Sequence, residues 1–143
     1  MKVKEIMSSN IVQIANDASL VKAAQKMQSA DVGALPVQKD NKTIGLITDR
    51  DIVVRAISAE LDPVATPVGE VMSPEVICCS EDDEIETAEK MMEENKVHRL
   101  VVLDRNNIVV GMISLGDLAL KTSNEHLAYR ALERICEPVR KVS

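Results

Sequence analysis

The sequence predicts an α/β (α+β) fold made of one small unit used twice, each copy a three-stranded sheet with two helices. Three observations point there. An internal repeat runs through most of the 143 residues. Within each copy, short apolar runs alternate with stretches of helical period. Apolar residues make up 45% of the chain and charged residues 28%, enough apolar surface to build a core without staples.

The repeat is read first, since a missed period would misassign every element that follows. Val3-Lys4-Glu5-Ile6-Met7-Ser8 returns as Val68-Gly69-Glu70-Val71-Met72-Ser73, 65 positions on. At the same shift Leu20 falls on Ile85, Ala23 on Ala88, Met27 on Met92, and Leu35-Pro36-Val37 on Leu100-Val101-Val102. One residue is then inserted in the Asp104 to Asn107 turn, where loops tolerate it. Beyond it Gly45-Leu46-Ile47-Thr48 matches Gly111-Met112-Ile113-Ser114 at a shift of 66. The expected boundaries are residues 1–58 for the first copy, 59–67 for a linker, 68–122 for the second copy and 123–143 for a C-terminal helix and tail.

Each copy opens with a short strand, Ile11 to Ile14 or Val76 to Cys79. Polar helix starters follow, Asn16-Asp17 and Ser80-Glu81-Asp82, of the kind whose side chains cap first-turn amides. Leu20, Ala23, Ala24, Met27 and Ala30 then recur at helical spacing, as do Ile85, Ala88, Met91 and Met92, so each helix has one apolar face. The methionines are core fillers. A hairpin comes next. Leu35 to Val37 and Ile44 to Ile47 flank Lys39-Asp40-Asn41-Lys42, while Leu100 to Leu103 and Val109 to Ile113 flank Asp104-Arg105-Asn106-Asn107. A second helix begins at Asp49 or Leu115.

Between the copies Ala59 to Pro67, with Pro63 and Pro67, reads as a surface linker. After the second copy, Thr122-Ser123-Asn124-Glu125 has the T-x-x-E form of a capping box and leads into Leu127, Ala131, Leu132 and Ile135 at helical spacing. This tail helix is expected to dock on the body or on another subunit, with Pro138 stopping it and His126 on its surface.

Composition removes several function classes. Tyr129 is the only aromatic residue, so the stacking platforms used for single-stranded nucleic acid are missing, and a planar ligand is expected to be gripped by Val, Ile, Leu and Met. A net charge of -6 disfavours duplex binding as well. No apolar run reaches the roughly 18 residues of a membrane span, and the opening MKVKEIMSSN lacks the apolar core of a signal peptide, so no membrane partner and a cytoplasmic location are expected. Cys78, Cys79 and Cys136 have no zinc-type spacing and read as reduced, mostly buried small apolar residues; no metal site is expected. An enzyme needs a nucleophile or base held by a second group, or an open metal site, and the sequence shows neither.

Two segments remain as candidates for binding chemistry: Gly45-Leu46-Ile47-Thr48-Asp49-Arg50-Asp51 and Gly111-Met112-Ile113-Ser114-Leu115-Gly116-Asp117. Each places a hydroxyl where a buried strand runs into a helix, so the hydroxyl and first-turn amides can face an anion such as phosphate. The Asp lies one turn on, and an ionised carboxylate accepts hydrogen bonds only, which suits the paired hydroxyls of a ribose. The same T-x-x-D and S-x-x-D spacing also forms a helix cap, and duplication copies a cap as readily as a site.

Taken together and in order, these features resemble the cystathionine β-synthase (CBS) domain family, whose repeats pair as a Bateman module. The resemblance covers roughly residues 3 to 121 and rests on Glu5-Ile6-Met7 and Glu70-Val71-Met72, on Val32-Gly33-Ala34-Leu35-Pro36-Val37 and Val97-His98-Arg99-Leu100-Val101-Val102, and on the two glycine-to-aspartate segments. It implies a stand-alone regulatory module, with the copies packed sheet to sheet about a pseudo-twofold axis, that pairs into a homodimer. It further implies that AMP, ADP or ATP binds in the cleft between the copies and that occupancy modulates a separate, unidentified partner protein. S-adenosylmethionine or NAD(H) as ligand, or a ligand-free dimerisation adaptor, are the alternatives.

The residues that the resemblance assigns to ligand binding are Thr48 and Asp51 in the first copy and Ser114 and Asp117 in the second, with the Asp on the ribose. His98-Arg99 falls on the pair that contacts phosphate in nucleotide-sensing members, and the first copy has Gly33-Ala34 there. Val32, Val97 and Met112 flank these positions, and Arg50 supplies charge to the first cleft or pairs with Asp49 or surface carboxylates. A structural ion pair for Arg99 and a structural role for His98 are equally open to those side chains. The two sites are expected to be unequal, with the His98-Arg99 site preferred. Asp117→Ala is expected to weaken nucleotide binding and leave the fold intact.

Overall fold

A computed structural model describes residues 1–137. It contains two three-stranded sheets, each a parallel pair extended by an antiparallel hairpin. The chain forms two compact units whose membership differs from the order of the repeats. One unit is Val12–Val76; the other joins Met1–Ile11 to the chain from Ile77 onward. The opening segment of each copy therefore completes the core of the other copy.

In the unit Val12–Val76, strand β1 (Ile14–Ala15) is shorter and later than Ile11 to Ile14 suggests, because only these two residues pair with β2 (Ala34–Lys39). Helix α2 (Leu20–Ala30) starts at Ser19, whose hydroxyl oxygen accepts the Lys22 N–H. Asn16-Asp17 therefore lies ahead of the cap, and the Asn16 carbonyl accepts the Gly69 N–H. Leu20, Ala23 and Met27 are buried, while Ala24 faces outward. The helix ends at Asp31 in the left-handed region, and the Val32 N–H reaches back to the Met27 carbonyl, which closes a Schellman turn. Asp40 and Asn41, both at positive φ, turn the chain into β3 (Lys42–Thr48) as a two-residue hairpin loop of the primed type.

Beyond β3, α3 (Asp49–Asp51) passes directly into a π-helical stretch, Ile52–Ile57. The segment 59–67 is mostly exposed, yet Thr66 is buried and its carbonyl accepts the Leu20 N–H, so part of the expected linker supports the first turn of α2. A 3-10 turn, Val68–Glu70, then lays Val68 and Val71 against Leu20, Leu35, Val37 and Ile47 in the core.

The second unit repeats this plan. Helix α1 (Val3–Ile6) contributes Val3 and Ile6 to a core with Ile85, Ala88, Met92, Leu100, Val102, Ile113 and Leu118. Strand β4 (Cys78–Ser80) pairs with β5 (Arg99–Leu103), which pairs with β6 (Val109–Ser114). Helix α4 (Ile85–Asn95) starts at Glu84 without a side-chain cap; Ser80 and Asp83 instead bond each other's neighbourhood in the preceding turn. Lys96 at positive φ and the Val97 N–H to the Met92 carbonyl reproduce the Schellman turn.

Helix α5 (Leu115–Lys121) leads to α6 (Glu125–Cys136), which packs on α4 and α5 through Leu127, Ala128 and Ala131. The expected Thr122 capping box does not form. Thr122 turns its hydroxyl back onto the Leu118 carbonyl at 2.7 Å, and Asn124 caps α6 by accepting the Leu127 N–H. Pro138 lies outside the described residues. Cys79 is buried and its thiol is pushed up to about 12 by desolvation, whereas Cys136 is exposed, so the expectation of buried cysteines does not extend to it. Among the described residues no helix is long and apolar enough to cross a membrane.

Candidate functional site

The two glycine-to-aspartate segments fold alike. Thr48 and Ser114 are N-caps, and each closes a reciprocal capping box. Thr48 Oγ1 accepts the Asp51 N–H at 3.0 Å while Asp51 Oδ2 accepts the Thr48 N–H at 3.0 Å. Ser114 Oγ accepts the Asp117 N–H at 3.1 Å while Asp117 Oδ2 accepts the Ser114 N–H at 2.9 Å. The other oxygen of Asp117 lies 2.9 Å from Lys121 Nζ, and that of Asp51 lies 3.8 Å from Arg55 Nε.

Asp117 thus has a structural role beside the ligand contact expected of it, and its removal, while leaving the fold intact, is expected to cost stability. Asp117→Ala deletes one partner of the box and the Lys121 ion pair, and a lost N-terminal cap costs about 1 kcal/mol, the half-exposed pair adding little. A urea titration is expected to show that loss with an unchanged slope.

First-turn amides are largely engaged as well. The Leu115 N–H donates to the His98 carbonyl at 2.8 Å, and in the first copy the Asp49 N–H donates to the Gly33 carbonyl at 3.0 Å. These equivalent bonds fix a common frame in which the side chains differ. In the first copy Asp49 Oδ1 accepts the Arg50 backbone N–H at 2.8 Å, and a Cβ on Gly33 would come within 3.0 Å of Asp49 Oδ2. Gly33 thus leaves room for the Asp49 carboxylate. The second copy has Leu115 in place of Asp49 and brings His98 and Arg99 in place of Gly33 and Ala34.

Register sharpens the contrast. Arg99 pairs directly with Ser114 across the β5–β6 ladder, and Ala34 pairs with Thr48 across β2–β3. Directly opposed residues on antiparallel strands project to the same side, so an arginine side chain leaves the sheet beside the hydroxyl residue in one copy and an alanine methyl group does so in the other. His98, Arg99 and Ser114 line a cavity of about 590 Å³ together with Leu115, Gly116 and Ala119. Its remaining wall is α6, through Ala128, Tyr129 and Leu132.

Of the residues singled out from sequence in the second copy, this cavity gathers His98, Arg99 and Ser114. Asp117 caps the helix beside it, Val97 packs against the core, and Met112 exchanges backbone bonds with Ser8 at 2.8 and 3.0 Å. In the other unit Arg50 and Val32 are exposed and Thr48 and Asp51 are half-buried. Sequence reasoning passed over Tyr129, Leu132 and Asp49. Asp49 was readable as the acidic residue opposite Leu115; Tyr129 stands off the apolar row of its helix, and only its being the sole aromatic marked it.

The glycines that open the two segments contact the Glu-x-Met segments. A Cβ on Gly111 would lie 2.6 Å from the Ser8 carbonyl oxygen and 2.8 Å from Met7 Sδ; on Gly45 it would lie 2.5 Å from Met72 Sδ and 2.7 Å from the Ser73 oxygen. The motif residues are thus packing partners across the exchanged segments.

Comparison with known proteins identifies the repeated unit. The profile of the CBS domain matches residues 3–57 and 68–122. The CBS domain-containing protein YhcV of Bacillus subtilis is 35% identical over 133 residues, which is 93% of this chain and 94% of that one. The crystal structure of Hypoxic Response Protein I with two coordinated zinc ions has a TM-score of 0.74 at 31% identity, covering 83% of this chain and 97% of that one; the Mycobacterium tuberculosis protein of that name is 31% identical over 137 residues. The CBS domain pair of MJ0100, crystallised with 5'-methylthioadenosine and S-adenosyl-L-methionine, shares the fold with a TM-score of 0.74 at 24% identity over 83% of this chain and 93% of its own. Among the described residues of the present chain, no three His, Cys, Asp or Glu side chains cluster as a metal site.

Proposed function

The chain belongs to the CBS-domain family, whose paired domains are regulatory modules, and from that premise we propose that it binds an adenine nucleotide, AMP, ADP or ATP, at the cavity of its second repeat. The observation that carries this reading is Arg99 set opposite Ser114 across the β5–β6 ladder, both lining that cavity with the neighbouring His98. A guanidinium offers forked donors to a phosphate, and a hydroxyl and an imidazole add two more. The first repeat, with Gly33, Ala34 and the Asp49 carboxylate at the equivalent positions, is the poorer anion site. Asp117 keeps its Oδ1, now on Lys121, as the oxygen that a ribose hydroxyl would share.

In the same reading the nucleotide shifts the shape of a homodimer presented to a separate cytoplasmic partner, as far as its affinities for the two shapes differ. Val53 and Ile57 on the π-helical stretch and Leu120, 87% exposed, are the apolar side chains that pairing would cover.

Thermal-shift titration with AMP, ADP, ATP, S-adenosylmethionine and NAD tests the ligand, since whatever binds the native state raises its melting point. Arg99→Ala is expected to weaken AMP binding roughly thirtyfold, the worth of a charge-assisted hydrogen bond of about 2 kcal/mol. A shift by S-adenosylmethionine alone, indifferent to Arg99→Ala, would replace the nucleotide reading with the sulfonium ligand. No shift by any of the five at millimolar concentration would leave a dimerisation adaptor.

A further inference from the structure

We propose that Tyr129 is the contact for the adenine ring, so that α6 is a wall of the binding site that the ligand itself holds in place; this rests on the nucleotide reading of the same cavity. The lining of the cavity is chemically mixed. His98, Arg99 and Ser114 come from the sheet side, at and just before β5 and at the end of β6, and Tyr129 and Leu132 come from α6. Such a lining suits a ligand that is anionic at one end and flat and apolar at the other.

Tyr129 is placed for that contact and has little else to do. The side chains that dock α6 are Leu127, Ala128 and Ala131, all buried, whereas the Tyr129 ring lines the cavity yet is 62% exposed. An aromatic face left open beside a cationic pocket gives a purine the stacking surface that the rest of the chain, which has no Phe and no Trp, does not offer. The side chains that dock α6 are mostly small. Two of its three buried side chains are alanines. A ligand touching Arg99 on β5 and Tyr129 on α6 therefore ties the helix to the sheet through its own body.

The test uses the full chain with AMP, adenosine and ribose 5-phosphate, read by calorimetry and by tyrosine emission. With one Tyr and no Trp in the sequence, that emission reports Tyr129 alone. AMP and adenosine are expected to change it. Tyr129→Ala is expected to weaken AMP about tenfold and leave ribose 5-phosphate binding unchanged, while Tyr129→Phe retains AMP affinity because the ring face remains. If Tyr129→Ala binds AMP as tightly as the parent does, the ring contact is wrong and the phosphate site stands. If ribose 5-phosphate does not bind while adenosine still changes the emission and loses affinity in Tyr129→Ala, the ring contact stands and the phosphate reading falls. If neither AMP nor adenosine binds, both are overturned.

Discussion

Replacing Gly111 with Ala is expected to destabilise the protein by about 3 kcal/mol and to lower its melting temperature by roughly 10 °C. The methyl group would enter a space already held by the Ser8 carbonyl oxygen at 2.6 Å and by the Met7 sulfur at 2.8 Å. Methionine can swing aside, but the backbone oxygen is one arm of the bridge between Ser8 and Met112 and cannot move without breaking it. Overpacking costs about 1–3 kcal/mol, and each lost backbone bond adds about 1. Gly45→Ala is expected to act alike on the Leu46–Ser73 bridge. Calorimetric melting of the two variants checks this; a midpoint within about 2 °C of the parent would show that the crossing segments yield freely.

Stability is also expected to fall as pH rises from about 4.5 to above 7, through Glu89. Its carboxyl is pushed up to about 7, first by burial, then by its hydrogen bond to Glu93 and by that residue's charge, with Arg130 and Lys90 pulling the other way. A carboxyl whose folded value is raised holds its proton in the folded state after the unfolded chain has released it. Its stabilising contribution is thus complete below the unfolded value and gone once pH passes the folded one. The swing is bounded by roughly 3 kcal/mol. Urea midpoints at pH 5 and pH 8.5 measure it, and Glu89→Gln is expected to flatten the difference. A parent chain equally stable at both values, with Glu89→Gln identical to it, would remove Glu89 from the account.

Most of the fold was readable because duplication prints the same apolar pattern twice. Leu35 with Val37 and Leu100 with Val102 could be set in register long before any contact was known. Helix starts were less legible. Asn16-Asp17 and Thr122 have the right side chains, but a cap is chosen by where the backbone turns, and Ser19 and Asn124 stood at those turns. At the site, the Thr48 and Ser114 segments announced both a cap and a ligand contact, and the geometry shows the cap in full. The inequality of the copies was visible in His98-Arg99 against Gly33-Ala34. Its stronger half, the Asp49 carboxylate lying over Gly33, needed the fold, because residues 33 and 49 meet only through the hairpin between them. Tyr129 was hidden for a like reason: helix period says which residues share a face, not which neighbour that face meets.

The exchange of opening segments gives the chain an order of assembly. Residues 1–11 are made before Val12–Val76, yet the sheet and helices that receive them, from Ile77 onward, are made after it. Meanwhile Val12–Val76 can close on itself once Val68, Val71 and Ser73 have emerged, so it can mature before the unit that takes up residues 1–11. A cut in the 59–67 segment would not release two autonomous repeats, since each fragment would carry a piece of the other's core and lack a piece of its own. Inheritance made the copies in tandem; folding has spliced them together.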